Sequence, residues 1–238
     1  MKEMIDVFRK EKKYIISQIT SSKLYHLLSQ VLHEDVHNSS NGGYMVRSLY
    51  FDTIDDTDYI EKEEGYEYRK KVRLRIYSPS QNSAKLELKE KIGDSQRKRS
   101  LIISKEHALN LIAGRYECLL SYKNPFSEEM YFLMAQQLYM PKCIVQYNRT
   151  AFHVPENDIR ITLDARIEAT ENNFNLFNTN INLYPVSHFD DVTLEVKYNG
   201  FLLSYVRDLL STCNKISTSN SKYCLARSVS QCNGGLFT

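Results

Sequence analysis

The sequence predicts an α+β fold, an antiparallel sheet closed into a barrel with helices packed outside. Three observations predict it. Four segments alternate charged and apolar side chains with a period of two. Five others read as helices, from apolar residues at helical spacing, capping residues or acidic character. Glycine and proline are sparse, 8 and 5 in 238 residues, and no repeat or linker interrupts the chain. A single domain over 1–238 is therefore expected.

The strands come first. In 69–77, Arg69, Lys71, Arg73, Arg75 and Tyr77 share one face. Lys70, Val72, Leu74 and Ile76 share the other, with Lys70 the one polar member. The same alternation holds at 84–91, where Lys85, Glu87, Lys89 and Lys91 oppose Ala84, Leu86 and Leu88. At 159–168, Arg160, Thr162, Asp164, Arg166 and Glu168 oppose apolar residues, and at 192–197 Thr193, Glu195 and Lys197 do so. A period of two means a strand with chemically distinct sides. Such strands argue against a parallel sheet buried on both faces. Like charges two apart on a strand sit roughly 6.6 Å from each other. At an effective dielectric of ~20, each pair costs on the order of 2.5 kcal/mol before screening. Repeated repulsion of that kind implies an anion among the side chains. Closing the sheet removes its edges and focuses the positive field inside.

The apolar faces then look outward and require helices. Residues 21–34 carry Leu24, Leu27, Leu28, Val31 and Leu32 at helical spacing after a serine-rich start. Residues 54–64 read as an acidic helix. Residues 104–113 run from Ser104 to a stop at Gly114. Residues 127–139 and 200–211 complete the set. The asparagine-rich 172–182 reads as a loop.

Composition narrows the function. The chain has 31 Lys+Arg, 29 Asp+Glu and a formal charge of +2. That average hides a segregation, with seven acids between Asp55 and Glu67 and five bases between Arg69 and Arg75. The acidic run is expected on the exterior. No apolar stretch reaches the ~20 residues of a membrane span, and the charged Met1–Lys13 lacks a secretory pattern. A cytoplasmic protein is expected, with any membrane link made through a separate partner protein. Five cysteines without C-x-x-C spacing point to reduced thiols. His33 and His37 read as surface residues. P-loop, Rossmann and nucleophile-elbow motifs are absent from the sequence.

A barrel lined by Arg and Lys with a few acids suits a polyanion together with Mn²⁺ or Mg²⁺. Glu195, Glu87, Asp164 and Glu11 are the candidate metal ligands. Each has a second reading, as a salt-bridge partner of the neighbouring bases.

The motifs, in order, are F-R-x-E-x-K-Y (Phe8 to Tyr14), V-R-S-L-Y-F-D-T (Val46 to Thr53), R-K-K-V-R-L-R-x-Y (Arg69 to Tyr77) and K-L-E-L-K-x-K (Lys85 to Lys91). They continue with R-K-R-S (Arg97 to Ser100), Y-N-R-x-A-F (Tyr147 to Phe152), R-I-T-x-D (Arg160 to Asp164), L-E-V-K-Y (Leu194 to Tyr198) and S-K-Y-C-x-A-R (Ser221 to Arg227). On these nine motifs, over about residues 7–228, the chain resembles the polyphosphate polymerase domain of the vacuolar transporter chaperone complex in its stand-alone bacterial form. That family belongs to the triphosphate tunnel metalloenzymes, beside the CYTH phosphatases and fungal-type RNA triphosphatases. The resemblance implies an eight-stranded antiparallel tunnel that takes ATP and polyphosphate or pyrophosphate. By motif position, Lys13, Arg73, Arg75, Lys89, Arg149, Lys197 and Lys222 are implied as catalytic phosphate holders. Arg47, Lys91, Arg160 and Tyr14 are implied as further substrate contacts, with Tyr50 a neighbour of the nucleotide. Glu195 is implied as the main metal ligand. The CYTH hydrolases begin E-x-E-x-K, whereas this chain reads R-x-E-x-K from Arg9. A cation where the hydrolases carry a carboxylate favours a phosphate acceptor over water. Two alternatives to the polymerase stay open: a tripolyphosphate or nucleoside triphosphate hydrolase, and a non-catalytic binder of polyphosphate or inositol phosphates. Nucleic acid is not expected, because no aromatic stacking platform accompanies the basic strands.

Overall fold

A computed structural model describes residues 9–38, 43–93, 95–219 and 221–234. Val7 and Phe8, at the start of the motif series, lie outside the described residues. In chain order the elements are β1 (Arg9–Ser17), α1 (Gln18–Val31), β2 (His33–Glu34), β3 (Tyr44–Asp52), α2 (Thr57–Glu63), β4 (Tyr68–Ile76), β5 (Ser83–Ile92) and β6 (Ser95–Ser104). There follow α3 (Lys105–Ile112), a 3₁₀ turn (Tyr116–Tyr122), α4 (Pro125–Gln136), β7 (Met140–Val154) and β8 (Ile159–Thr170). The chain ends with β9 (Tyr184–Pro185), β10 (Asp191–Asn199), α5 (Ser204–Ser211), β11 (Ile216–Ser217) and α6 (Lys222–Gly234).

Hydrogen bonding orders the strands β11-β1-β10-β8-β7-β3-β4-β5-β6, with β2 on β7 and β9 on β8. Every pairing with a described register is antiparallel. The mixed, antiparallel fold class is as expected. Among the described residues the sheet has eleven strands rather than eight, but β2, β9 and β11 are two residues each. The order is a path with β11 and β6 at its ends, not the closed ring that charge focusing suggested.

The chain divides into two compact units, each assembled from three segments. The first takes the described parts of Met1–Met45, Tyr147–Ile167 and Ser187–Ser221. Its core is the apolar face of β1, β8 and β10, with Ile161, Leu163, Val192 and Leu194 buried against Leu24 and Leu28 of α1 and Val206 and Leu210 of α5. The second takes Val46–Gln146, Glu168–Val186 and the described part of Lys222–Thr238. There Leu49, Val72, Leu74, Leu86 and Leu88 pack with Ala108 and Leu111 of α3, Leu119, and Met130 and Met134 of α4. In both units the apolar strand face is the helix-covered one, as the alternation predicts.

Capping chemistry sets the helix ends and explains where they differ from expectation. α1 begins three residues early, because the Ser17 hydroxyl accepts from Thr20 N–H at 3.2 Å. It stops at Val31, because Leu32 is extended and His33 and Glu34 pair with His153 and Phe152. α3 matches its expected cap, with Ser104 accepting from His107 N–H at 3.1 Å. α4 starts at Pro125 behind Asn124, whose side chain accepts from Phe126 N–H at 2.8 Å. The start of α2 is held from upstream. Asp52 accepts from the amides of Thr53, Asp58 and Tyr59 at 2.8 to 2.9 Å, so the helix begins at Thr57.

Two irregularities have no counterpart in the alternation. Arg166 takes φ 53° inside β8, a left-handed conformation within an otherwise continuous strand. Asp58, inside the acidic run read as exterior, is fully buried. Cys118, Cys143, Cys213 and Cys224 form no disulfide among the described residues, and His33 and His37 are exposed. Among the described residues, no helix is long and apolar enough to cross a membrane.

The two sides of α1 give a direct check. Leu28 is fully buried, while neighbouring Leu27 is 38% exposed. Leu28→Ala is expected to lower unfolding free energy by about 2–5 kcal/mol. Leu27→Ala is expected to cost well under half of that, read by urea denaturation of both variants.

Candidate functional site

The residues singled out by the sequence fall into two clusters, one in each unit.

In the second unit, β4 and β5 bring the bases together by register. Arg69 lies opposite Lys91, Lys71 opposite Lys89, Arg73 opposite Glu87, and Arg75 opposite Lys85. Lys98 of β6 lies opposite Lys89. All share the side away from the apolar core. This side is not open surface, since Arg69, Lys71, Arg73, Lys85, Lys89 and Lys91 are half-buried and Arg75 is buried.

Glu87, only 1% exposed, organises the group. Its Oε2 accepts from Arg73 Nε at 2.7 Å and lies 3.7 Å from Arg75 Nη1. Its Oε1 is 2.5 Å from Lys98 Nζ. Burial pushes the carboxyl up, but Arg73, Arg75 and Lys98 together outweigh it and hold Glu87 well below the usual carboxylate range. The same crowding acts on Lys98. Burial lowers its ammonium to about 8, with Glu87 pulling up and Arg73 and Arg75 pushing further down. The Lys98 side chain as a whole is 45% exposed, while its ammonium end lies against the buried Glu87.

Arg73 is also fixed from the other side. Its Nη1 donates to Tyr50 Oη at 3.1 Å. Tyr50 stacks on Tyr223 of α6, centroids 5.2 Å apart, and Tyr223 Oη donates to Asp52 at 2.6 Å. One acid, Asp52, thus caps α2 and anchors the aromatic pair behind Arg73. Lys222, half-buried beside Tyr223, opens α6.

Lys70, the lone polar residue on the apolar side of β4, is explained by Asp58. Its ammonium lies 3.5 Å from Asp58 Oδ1, and Tyr139 Oη donates to the same carboxylate at 2.9 Å. Burial first and Asp52 second push Asp58 up to about 7, against the opposing pull of Lys70 and Tyr139.

In the first unit, Lys13 lies opposite Glu195 and Glu11 opposite Lys197. Thr162 lies opposite Glu195, and Arg160 opposite Lys197. Arg149 of β7 donates from Nε and Nη2 to both oxygens of Asp164 at 2.6 and 2.7 Å, a bidentate pair. The same Nη2 is 3.5 Å from Glu195 Oε2. Lys197 Nζ lies 3.1 Å from Glu195 Oε1 and 3.9 Å from Glu11 Oε2, and Lys13 Nζ lies 2.9 Å from Glu11 Oε1. Arg160 donates to Asp35 and to Tyr44 Oη at 2.7 and 3.0 Å. The backbone approaches closely here: a Cβ on Gly43 would lie 2.8 Å from the Arg149 carbonyl oxygen.

Two sequence candidates stand apart from these clusters. Arg47 shares the side of Leu49, Phe51 and Ile76, not that of Arg73. Its guanidinium donates to Gln146 and to the carbonyls of Leu176 and Asn178, fastening the 172–182 loop. Tyr14 shares the helix-covered side with Val196 and Leu194, opposite to Lys13 and Glu195. Neither placement contradicts the motif; strand parity decides it. Lys98 and Asp52 had no assigned role. The parity of β6 was masked because Arg97 and Arg99 flank Lys98. Arg99 faces the other side, pairing with Glu90 and Glu129 and lying over the Phe126 ring.

The four carboxylates read as metal ligands do not form one group. Glu11, Asp164 and Glu195 belong to the first unit and Glu87 to the second. Among the described residues, no three His, Cys, Asp or Glu side chains are gathered as a metal site. Glu195 and Glu11 already share a cation, the Lys197 ammonium. One or two carboxylates completed by phosphate oxygens is the donor set that Mg²⁺ usually takes.

Comparison with known proteins supplies the family. The VTC domain profile matches residues 8–231, and the chain belongs to the VTC domain family. No curated protein matches the chain. Among solved structures, a chain of the Schizosaccharomyces pombe Mediator head module superposes with TM-score 0.51 at 8% identity, covering 88% of this chain and 99% of that one. At that identity the likeness is of fold alone. A Bacillus halodurans protein provisionally described as an adenylate cyclase gives TM-score 0.49 at 15% identity, covering 90% and 95%. A Pyrococcus horikoshii protein gives 0.44 at 8% identity, covering 93% and 99%.

Asp58 makes stability depend on pH. Its ordinary value is 3.8 and its folded value about 7, so between these the folded chain holds a proton that the unfolded chain has released. Its contribution to stability is fully present below about pH 4 and declines as pH rises to about 7. Asp58→Asn is therefore expected to gain on the wild type across that window, with a constant difference above it. Denaturant midpoints from pH 4 to 9 read this, and parallel curves would refute it.

Proposed function

We propose that this VTC-domain chain is a metal-dependent polyphosphate polymerase that transfers the γ-phosphoryl group of ATP to a growing chain. The observation that carries the reading is the half-buried, mostly basic side of β4 and β5. Seven bases there, with Glu87 as the carboxylate among them, ask for a polyanion. Arginine forks and lysine ammonium groups match phosphate oxygens, and family membership supports the substrate class.

The chemistry needs no nucleophilic side chain. A terminal phosphate oxygen of the acceptor attacks the γ-phosphorus, the bond to the β-phosphate bridging oxygen breaks, and ADP leaves. Such transfer rests on positioning and charge neutralisation. Arg73, Arg75 and Lys98 hold phosphate oxygens in line, and Lys71, Lys85, Lys89 and Lys91 extend the track for the chain. Arg149, Arg160, Lys13, Lys197 and Lys222 serve as further phosphate contacts. Asp164 fixes the Arg149 fork. Glu195, with Glu11 beside it, is the place for Mn²⁺ or Mg²⁺, which when bound supplies charge neutralisation on the phosphates. Glu87 acts as counter-charge, setting the spacing of three cations.

Incubation with ATP and Mn²⁺ followed by gel analysis tests the reaction. Lengthening chains with ADP support it, whereas orthophosphate release alone would point to a hydrolase. Glu195→Gln is expected to abolish chain growth with an unchanged circular dichroism spectrum; retained activity would exclude its metal role. Arg73→Ala is expected to weaken tripolyphosphate binding about ten- to hundredfold, as the loss of a charge-assisted hydrogen bond does. Lys70→Ala, on the opposite side of β4, should lower stability and leave that affinity within about twofold.

A further inference from the structure

The first unit carries a second cationic site on the other side of its sheet. Lys10 and Lys12 of β1 alternate with Glu11 and Lys13, so they point to the helix-covered side, opposite Tyr198 and Val196 of β10. α5 covers only part of that side. What it leaves is a cavity of about 390 Å³, within the range of small-molecule sites.

The lining is chemically one-sided. Arg207 and Ser211, one turn apart on α5, face it with Lys10, Lys12 and Lys215. No aspartate or glutamate lines it. Lys215 is accounted for: it donates to the Leu210 carbonyl at 2.6 Å and lies 5.6 Å from the Tyr14 ring centroid. Lys10, Lys12 and Arg207 make no ion pair or side-chain hydrogen bond among the described residues. The apolar and aromatic part of the lining includes Tyr14, Tyr198 and Phe201. Phe201 is 66% exposed, a large ring left at the mouth.

These features select a ligand. A bare phosphate chain would answer the cations and leave the aromatic lining unmatched. A neutral ring would answer that lining and leave three cations crowded together. A planar ring joined to two or three phosphates answers both, by stacking and by charge-assisted hydrogen bonds. We propose that this cavity binds a nucleoside di- or triphosphate, its base against Tyr14 and Phe201 and its phosphates against Lys10, Lys12 and Arg207. The site is separate from the Glu11, Lys13, Glu195 and Lys197 cluster, which occupies the opposite side of the same strands. It stands whether or not the chain polymerises phosphate.

Photolabelling tests it on the full chain, with azido-adenine diphosphate and a chelator to exclude metal-dependent binding. Label is expected on peptides carrying Tyr14 or residues 198–215, with protection by excess ADP and weaker protection by tripolyphosphate. Lys12→Ala with Arg207→Ala should cut the labelling about tenfold or more, the loss of charge-assisted contacts. Arg73→Ala, in the other unit, should leave it unchanged. Should the double variant fail to fold, Phe201→Ala, at an exposed ring, is read in its place and must also reduce the label. Label absent from those peptides, or undiminished by these substitutions, overturns the site. Tripolyphosphate protecting as well as ADP overturns the nucleotide assignment.

Discussion

A buried carboxylate surrounded by cations is the constraint on which the second unit depends. Eight bases share one side of β4, β5 and β6, and their mutual repulsion would splay the strands if nothing offset it. Glu87 offsets part of it from within, touching Arg73, Arg75 and Lys98 at once. Breaking such a buried group by removing one partner generally costs about 3–5 kcal/mol. The first unit repeats the device with different geometry, as Asp164 takes both arms of Arg149 and Glu195 and Glu11 share Lys197. Carboxylates in both units thus keep basic groups spaced and oriented.

Strand parity does the sorting. Because successive side chains point to opposite sides, one chain can put a packed apolar core and a charged lining on the same strand. Lys70 shows how strict the sorting is. It falls on the core side by parity and is tolerated because Asp58 and Tyr139 meet it there. Arg47 and Tyr14 show the converse. Both sit in motifs beside basic neighbours, yet parity sends Arg47 to the 172–182 loop and Tyr14 to the cavity beneath α5.

This explains what was legible in the sequence. The four alternating segments became β4, β5, β8 and β10 nearly to the residue, because a period of two over several residues leaves one solution when one side is buried. The pairing of Arg73 with Glu87 and of Lys197 with Arg160 was not legible, since register depends on partners distant in the chain. Lys98 escaped notice because Arg97 and Arg99, on the opposite side of β6, give that strand no apolar alternation. Helix starts slipped wherever the cap came from outside the helical pattern, as with Ser17 and Asp52. The acidic run at 55–67 looked like solvated surface, and only the fold showed that Asp58 closes a buried network.

The central claim is that the basic side of β4 and β5 is a pre-arranged anion site whose spacing Glu87 maintains. Thermal melting of wild type and Glu87→Gln, each with and without tripolyphosphate, tests it most directly. Glu87→Gln is expected to melt lower than wild type alone, and tripolyphosphate to raise its midpoint by more than it raises the wild type's, because phosphate supplies the missing counter-charge. A variant as stable as wild type, or the same tripolyphosphate shift in both proteins, would contradict it.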